Sequence, residues 1–209
     1  MSFELPKLYP ITDRRLSGLS HAEQVARLSD GGAGVVQLRE KNLSPREFYR
    51  EAEEALRVAR ARGVRLVIND RADIALALGA DGVHLGQDDM PPSAARSLLG
   101  EDAIIGLSTH APEQAARAAR LPVDYVAIGP VFATSSKENP DAAVGLEGVA
   151  RVRGVVGQIH VVAIGGINEE NARAVLDAGA DSVAVISALL APGDPSEITL
   201  RTRRFLDRL

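Results

Sequence analysis

"LGADGVHLG", residues 78–86, carries three signals: a helix end at Leu78 and Gly79, a small and an acidic residue that turn the chain, and an apolar run suited to a buried strand. The order recurs weakly in "GGAGVVQLR" (31–39), "PVDYVAIG" (122–129) and "AGADSVAVIS" (178–187). The repeating unit is helix, turn, strand.

Outward from this echo lie eight Val- and Ile-rich strand candidates: "LYPI", "VVQL", "RLVI", "GVHLG", "AIIGLS", "YVAIGP", "VVAIGG" and "SVAVIS". Helical patterns separate them. In "SPREFYREAEEALRVARARG", Phe48, Ala52, Ala55, Leu56 and Ala59 recur near helical spacing, and Ser44 followed by Glu47 reads as a capping box. Similar segments are "ADIALALGA", "MPPSAARSLLG", "APEQAARAARL", "EGVARVRGVV", "NEENARAVLDAG" and "SEITLRTRRFLDRL". Eight alternating units with short loops predict a (β/α)8 TIM barrel of α/β class, as one domain over residues 1–209. The alternative, an open doubly wound sheet, needs a nucleotide loop after its first strand, and "PITDRR" is no such loop.

Composition agrees. The chain has 209 residues, a hydrophobic fraction of 45%, only 3% aromatics and no Trp, so Ala, Val, Leu and Ile must fill the core. A formal net charge of −4 argues against a nucleic-acid partner, whose phosphates demand clustered cations. The absence of Cys excludes disulfides, thiolate metal sites and a Cys nucleophile. No apolar stretch approaches the ~20 residues that span a bilayer, and "MSFELPKLYPITD" has no basic segment followed by a long apolar run. The expectation is a cytoplasmic protein without a membrane partner. The sequence fixes no subunit number, although barrels of this kind are often homo-oligomers.

A barrel carries its chemistry on loops at the C-terminal ends of its strands. Those ends supply Thr12 and Asp13; Gln37, Arg39, Glu40 and Lys41; Asn69 and Asp70; His84, Gln87, Asp88 and Asp89. The later strands add Ser108 and His110; Thr134, Ser135, Ser136 and Lys137; Gly165 and Gly166; Ile186 and Ser187. Polar and glycine residues crowd one rim.

"QLREK", "IND", "HLGQDD", "GLSTH", "GPVFATSSK", "AIGGI" and "VAVISA" together resemble the ordered motif set of the thiamine phosphate synthase family, over nearly the whole chain. The resemblance implies condensation of a pyrimidine methyl diphosphate with a thiazole phosphate, or its carboxylated precursor, to thiamine phosphate and pyrophosphate. Loss of the diphosphate leaves a cation that the electron-rich aminopyrimidine supports. The thiazole nitrogen that attacks has no proton to lose. Charge neutralisation of the leaving group therefore outweighs general-base chemistry.

Position by position, the family's Mg²⁺ carboxylates fall on Asp70 and Asp89, with Asp88 a solvated neighbour. The plainer reading is that Asp70 and Asp89 cap the helices that follow them. The resemblance places Gln37, Arg39, Lys41, Asn69, Ser108 and Lys137 on the pyrimidine diphosphate, with Arg39, Lys41, Lys137 and Ser108 as catalytic groups. Alternation puts Arg39 and Lys41 on the side of Gln37, provided the strand runs that far. Thr134, Ser136, Gly166, Ile186 and Ser187 match the thiazole phosphate site, where backbone N–H groups of a Gly-rich turn hold a phosphate. Gly165 and Gly166 equally suit a tight turn. Ser136 stands where the family typically has Thr, which keeps the hydroxyl and loses a methyl. "ATSSKENPDAAVG" (133–145) reads either as a flap that orders on substrate or as a surface loop.

His21 and His160 have no motif around them and read as surface or packing residues, and His84 as a hydrogen-bonded structural histidine. His110 keeps a second function open, because a thiazole tautomerase of the same fold uses a histidine after strand five. A third reading is a non-catalytic barrel that binds phosphorylated metabolites. Both are ranked below the synthase, since the "QLR" plus Lys and "HLGQ" plus Asp patterns are complete here.

Overall fold

The computed structural model describes residues 4–134, 142–191 and 193–209. Eight strands close into one parallel barrel in sequence order: β1 (Leu8–Thr12), β2 (Val35–Leu38), β3 (Arg65–Asn69), β4 (Gly82–Leu85), β5 (Ile104–Thr109), β6 (Tyr125–Ile128), β7 (His160–Ile164) and β8 (Ser182–Val185). β1 pairs with both β2 and β8, for example Ile11 with Gln37 and Tyr9 with Ala184. The helices around it are α1 (Arg14–Ser17), α2 (His21–Asp30), α3 (Pro45–Ala61), α4 (Ala72–Leu78), α5 (Pro92–Leu99), α6 (Pro112–Ala118), α7 (Gly145–Val156), α8 (Ala172–Asp177), α9 (Ser187–Leu190) and α10 (Ser196–Asp207). The expected barrel and all eight expected strands are present.

Strand alternation divides the apolar residues into two cores. Leu8, Val36, Leu38, Leu66, Ile68, Val83, Leu85, Val126 and Val161 face outward into one continuous layer with the helices. Tyr9, Ile11, Val35, Val67, Ile104, Tyr125, Ala127, Val162 and Ala184 fill the barrel itself. The buried face of α3 is the predicted one, Phe48, Ala52, Ala55, Leu56 and Ala59, and the Ser44–Glu47 capping box is formed.

The echo in the sequence marks one structural device at the N-terminal face. Asp81, Asp124 and Asp181 precede β4, β6 and β8, and their carboxylates accept the backbone N–H of Leu66, Ile105 and Val161 at 2.8, 2.7 and 2.8 Å. Each of these receives the second residue of the preceding strand, which fixes how adjacent strands start. Arg96 of α5 and Arg153 of α7 pair with Asp124 and Asp181, both at 2.8 Å. In the first copy Gly34 takes the place of the Asp, and its carbonyl accepts from Arg65 N–H at 3.1 Å.

Three helices, α1, α2 and α9, were not expected from the apolar pattern. The longest of them, α2, carries two buried polar residues, His21 and Gln24, which break that pattern. Its capping box, Ser20 with Glu23, is the signal that marks it. His21 is fully buried, which decides between its surface and packing readings in favour of the interior.

Candidate active site

The inward positions at the upper ends of β2 to β5 are Gln37, Asn69, His84 and Ser108, not apolar residues. They border a cavity of about 630 Å³ at the C-terminal mouth of the barrel, which also reaches down to Tyr9 and Tyr125. A polar seam crosses its floor. Ser108 Oγ lies 2.9 Å from His84 Nε2, His84 Nδ1 lies 2.9 Å from the Tyr125 hydroxyl, and that hydroxyl lies 2.8 Å from Tyr9. His84 stacks on Tyr125 with ring centroids 5.6 Å apart. Burial pushes the Tyr9 hydroxyl up to about 12, against the opposing pull of hydrogen bonds to Tyr125 and Gln37. Burial also pushes Tyr125 well above the ordinary phenol range. Both therefore remain O–H donors at neutral pH.

Gly106 on β5 permits this seam. A Cβ there would lie 2.1 Å from Tyr125 Cζ, inside the ring. The strand residue is glycine because a tyrosine from the next strand passes through its side-chain space.

On the wall beside the seam, Asp70 and Asp89 form a carboxylate pair from the loops after β3 and β4. Burial raises the Asp89 pKa, the Gly86 N–H opposes that shift, and the negative charge of Asp70 adds to it. Neither residue caps a helix: the N-caps of α4 and α5 are Arg71 and Pro91, without side-chain capping bonds. Asp89 Oδ2 instead accepts Gly86 N–H at 2.7 Å. Asp70 has φ 64°, the one positive value among the described non-glycine residues. Asp tolerates this region better than most, and such backbone concentrates at functional sites.

Lys41 crosses from the β2 loop to Asp70, with Nζ 2.5 Å from Oδ2. Arg39 lies 3.6 Å from Asp13 Oδ2. β2 ends at Leu38, so strand alternation does not extend to Lys41, yet both side chains line the cavity. Opposite them, Gly165 and Gly166 follow β7 with φ 104° and 65°. A Cβ on Gly165 would lie 2.5 Å from Pro130 Cβ, and one on Gly166 2.7 Å from Ala133 O, so close backbone packing as well as conformation demands glycine there.

Gln37, Arg39, Lys41, Asn69, Asp70, Asp89, Ser108, Thr134, Gly166, Ile186 and Ser187 all border this one cavity. Ser136 and Lys137, and with them most of the 133–145 flap reading, lie outside the described residues. His110 also borders the cavity; its Nδ1 lies 2.7 Å from the Gly129 carbonyl, which in the neutral ring places the proton on Nδ1. The sequence reading overlooked Tyr9, Tyr125 and Gln114. Gln114 accepts His110 N–H at 2.7 Å and receives the Gln87 amide at 2.7 Å. A polar-tipped Tyr at an inward strand position was the available signal, since a buried hydroxyl needs a partner.

The family model described as "Thiamine monophosphate synthase" matches residues 8–189. The "Thiamine-phosphate synthase" of Syntrophomonas wolfei is 46% identical over 202 residues, covering 96% of each chain. That of Clostridium novyi is 50% identical over 189 residues, covering 90% of this chain and 92% of its own. The solved structure of the thiamine phosphate pyrophosphorylase from Pyrococcus furiosus superimposes with a TM-score of 0.84 at 40% identity, covering 96% of this chain and 95% of that one. A match this long, on a barrel whose mouth holds these polar and glycine residues, settles membership: the chain belongs to the thiamine monophosphate synthase family.

Proposed function

We propose that the chain is a thiamine-phosphate synthase that condenses a pyrimidine methyl diphosphate with a thiazole phosphate, releasing pyrophosphate. One observation carries the reading within the family: a carboxylate pair, two cationic side chains and a set of neutral polar groups meet in a single cavity at the mouth of the barrel. This combination suits a diphosphate leaving group better than it suits proton transfer.

The donor set fits Mg²⁺. Asp70 and Asp89 offer oxygen only, with no thiolate near, and the like charge of Asp70 that adds to the raised proton affinity of Asp89 is what a divalent cation relieves. Among the described residues no third His, Cys, Asp or Glu joins them. Two carboxylates with the remaining positions left to water and phosphate is the usual Mg²⁺ arrangement. When bound, the ion neutralises developing charge on the diphosphate oxygens.

The chain's own residues do the rest. A diphosphate monoester carries about three negative charges at neutral pH, by extension from phosphate monoesters. Arg39 and Lys41 supply two compensating charges, and Lys137 is proposed as the third. Each is worth up to ~4 kcal/mol of raw attraction at 4 Å and an effective dielectric of 20, before desolvation. Since 1.36 kcal/mol is about tenfold in rate, a fraction of this is sufficient to matter. Gln37 and Asn69 orient the pyrimidine, and Ser108, held by His84, meets the diphosphate side. Thr134, Ser136, Gly166, Ile186 and Ser187 hold the thiazole phosphate, largely through hydroxyls and backbone N–H groups.

His110 keeps the tautomerase reading testable, but that reaction has no use for the paired carboxylates and cations. The test is to mix protein, pyrimidine methyl diphosphate, carboxythiazole phosphate and Mg²⁺, and to follow thiamine phosphate by chromatography with a parallel sample in EDTA. Repeated, EDTA-sensitive turnover is expected. A folded protein that binds the thiazole compound and makes no product overturns the reading in favour of a tautomerase or a binder.

A further inference from the structure

We infer that His21, buried behind the rim of the site, is a positioning residue that sets the Arg39–Lys41 segment through Thr12 and Glu40. The inference rests on the proposal that Arg39 and Lys41 receive the diphosphate.

His21 opens α2, is fully buried and does not line the cavity. Both ring nitrogens are engaged: Nδ1 lies 2.7 Å from Thr12 Oγ1 and Nε2 lies 3.3 Å from Glu40 Oε2. Beyond these partners stand the backbone N–H groups of the loop. Arg39 N–H donates to Thr12 Oγ1 at 3.3 Å, while Lys41 and Asn42 N–H both donate to Glu40 Oε1 at 2.7 Å. Three N–H groups of the segment thus end on the two side chains that His21 holds.

The chain of bonds has one self-consistent direction. Burial pushes the Glu40 pKa up, but the Asn42 N–H, the His21 ring and the Lys41 N–H together hold it below the usual carboxylate range. An ionised Glu40 accepts only, so His21 carries its proton on Nε2. Nδ1, at 2.7 Å, then accepts the Thr12 hydroxyl proton in preference to the Gln37 carbonyl at 3.4 Å, which leaves a Thr12 lone pair for Arg39 N–H. Each member finds a donor or an acceptor, and removing the ring takes the side-chain donor from Glu40 and leaves the Thr12 hydroxyl only its longer contact to the Gln37 carbonyl.

Glu40 supports the same conclusion by its charge. A carboxylate between Arg39 and Lys41 is the wrong sign for a loop that receives a diphosphate, and its side chain does not border the cavity. It is turned inward, to the backbone and to His21. Lys41 and Arg39 are long, flexible side chains, so where their charges come to rest depends on how firmly the segment beneath them is held.

The experiment compares His21→Leu, His21→Gln and Glu40→Ala with the unaltered protein. Calorimetry reads the Kd of inorganic pyrophosphate with Mg²⁺, steady-state kinetics read KM for each substrate and kcat, and a thermal melt reads Tm. Losses through groups one shell out are typically 10–100-fold, so His21→Leu is expected to weaken pyrophosphate binding about tenfold or more. It also raises the KM for the pyrimidine diphosphate and lowers kcat, while the KM for the thiazole phosphate stays within about twofold. His21→Gln, which keeps an N–H for Glu40, recovers most of the loss. A lower Tm with pyrophosphate Kd unchanged, or an equal rise in both KM values, overturns the inference and leaves His21 a packing residue. Should His21→Leu fail to fold, Glu40→Ala decides by the same split. Pyrophosphate binding does not require turnover, so an inactive but pyrophosphate-binding protein would defeat the proposed function without touching this test.

Discussion

Asp88 and Asp89 are adjacent, yet only one has a fixed place. Asp89 is partly buried, bonds to Gly86 N–H and feels the charge of Asp70, whereas Asp88 is exposed. Asp89→Ala is expected to lower Mg²⁺-dependent kcat/KM by about 100-fold or more, because outer-shell partners alone cost 10–100-fold. Its melting temperature should change little, and so should that of Asp88→Ala, since Asp88 is exposed at the edge of the cavity and substitutions at exposed positions are near neutral for stability. Asp70 requires a different substitution because of its positive φ. Asp70→Asn tolerates that backbone and removes only the charge, so retained folding with lost turnover would separate chemistry from conformation. Equal activity in Asp89→Ala and the unaltered enzyme would remove the carboxylate pair from the mechanism.

At the scale of elements, the strands were legible because Val- and Ile-rich runs at regular spacing have few other uses. The echo in "LGADGVHLG" marks a repeated Asp that ties strand starts together. α2 was illegible by the same logic, since two of its buried residues, His21 and Gln24, are polar and register as surface in any apolar pattern. The one-turn helices α1 and α9 are too short to show a period. In the site, motif residues at strand ends were legible, whereas Tyr9 and Tyr125 passed as ordinary strand residues because only the closed barrel brings them together. The strand-tying device makes its own prediction. Arg153 pairs with Asp181 and donates to Gly157 O and Ile159 O at the N-terminal face, far from the cavity mouth. Arg153→Met should lower unfolding free energy by roughly 1–2 kcal/mol, discounted for partial exposure, with kcat/KM unchanged. Urea unfolding beside steady-state kinetics checks it, and an activity loss at constant stability would contradict the division of the barrel into a stability face and a catalytic face.

For the molecule as a whole, buried titratable groups bound the pH range of stability on both sides. Burial lowers the His21 pKa below 6.5, so between that depressed value and 6.5 the unfolded chain binds more protons than the native one. Stability is then complete above about pH 6.5 and falls as the pH is lowered. On the alkaline side the sign reverses. Tyr9 is pushed up to about 12 by burial, against an ordinary value of 10.0, so between these values the native state keeps a proton that the unfolded chain has lost. Stability holds below about pH 10 and declines above it; two units at 1.36 kcal/mol each correspond to about 3 kcal/mol from this residue. Tyr125 is raised in the same direction and steepens the decline. Tyr9→Phe removes one of the two titrations and, by deleting the 2.8 Å bond to Tyr125, costs about 1 kcal/mol at neutral pH. Urea unfolding stepped from pH 5 to 11 should therefore show a plateau between about 6.5 and 10. Tyr9→Phe should begin lower than the unaltered protein on that plateau and approach it on the alkaline limb. Parallel alkaline limbs would mean that the seam beneath the active site is wetter than its burial indicates, and that Ser108 and Gln37 are not held from below by a dry network.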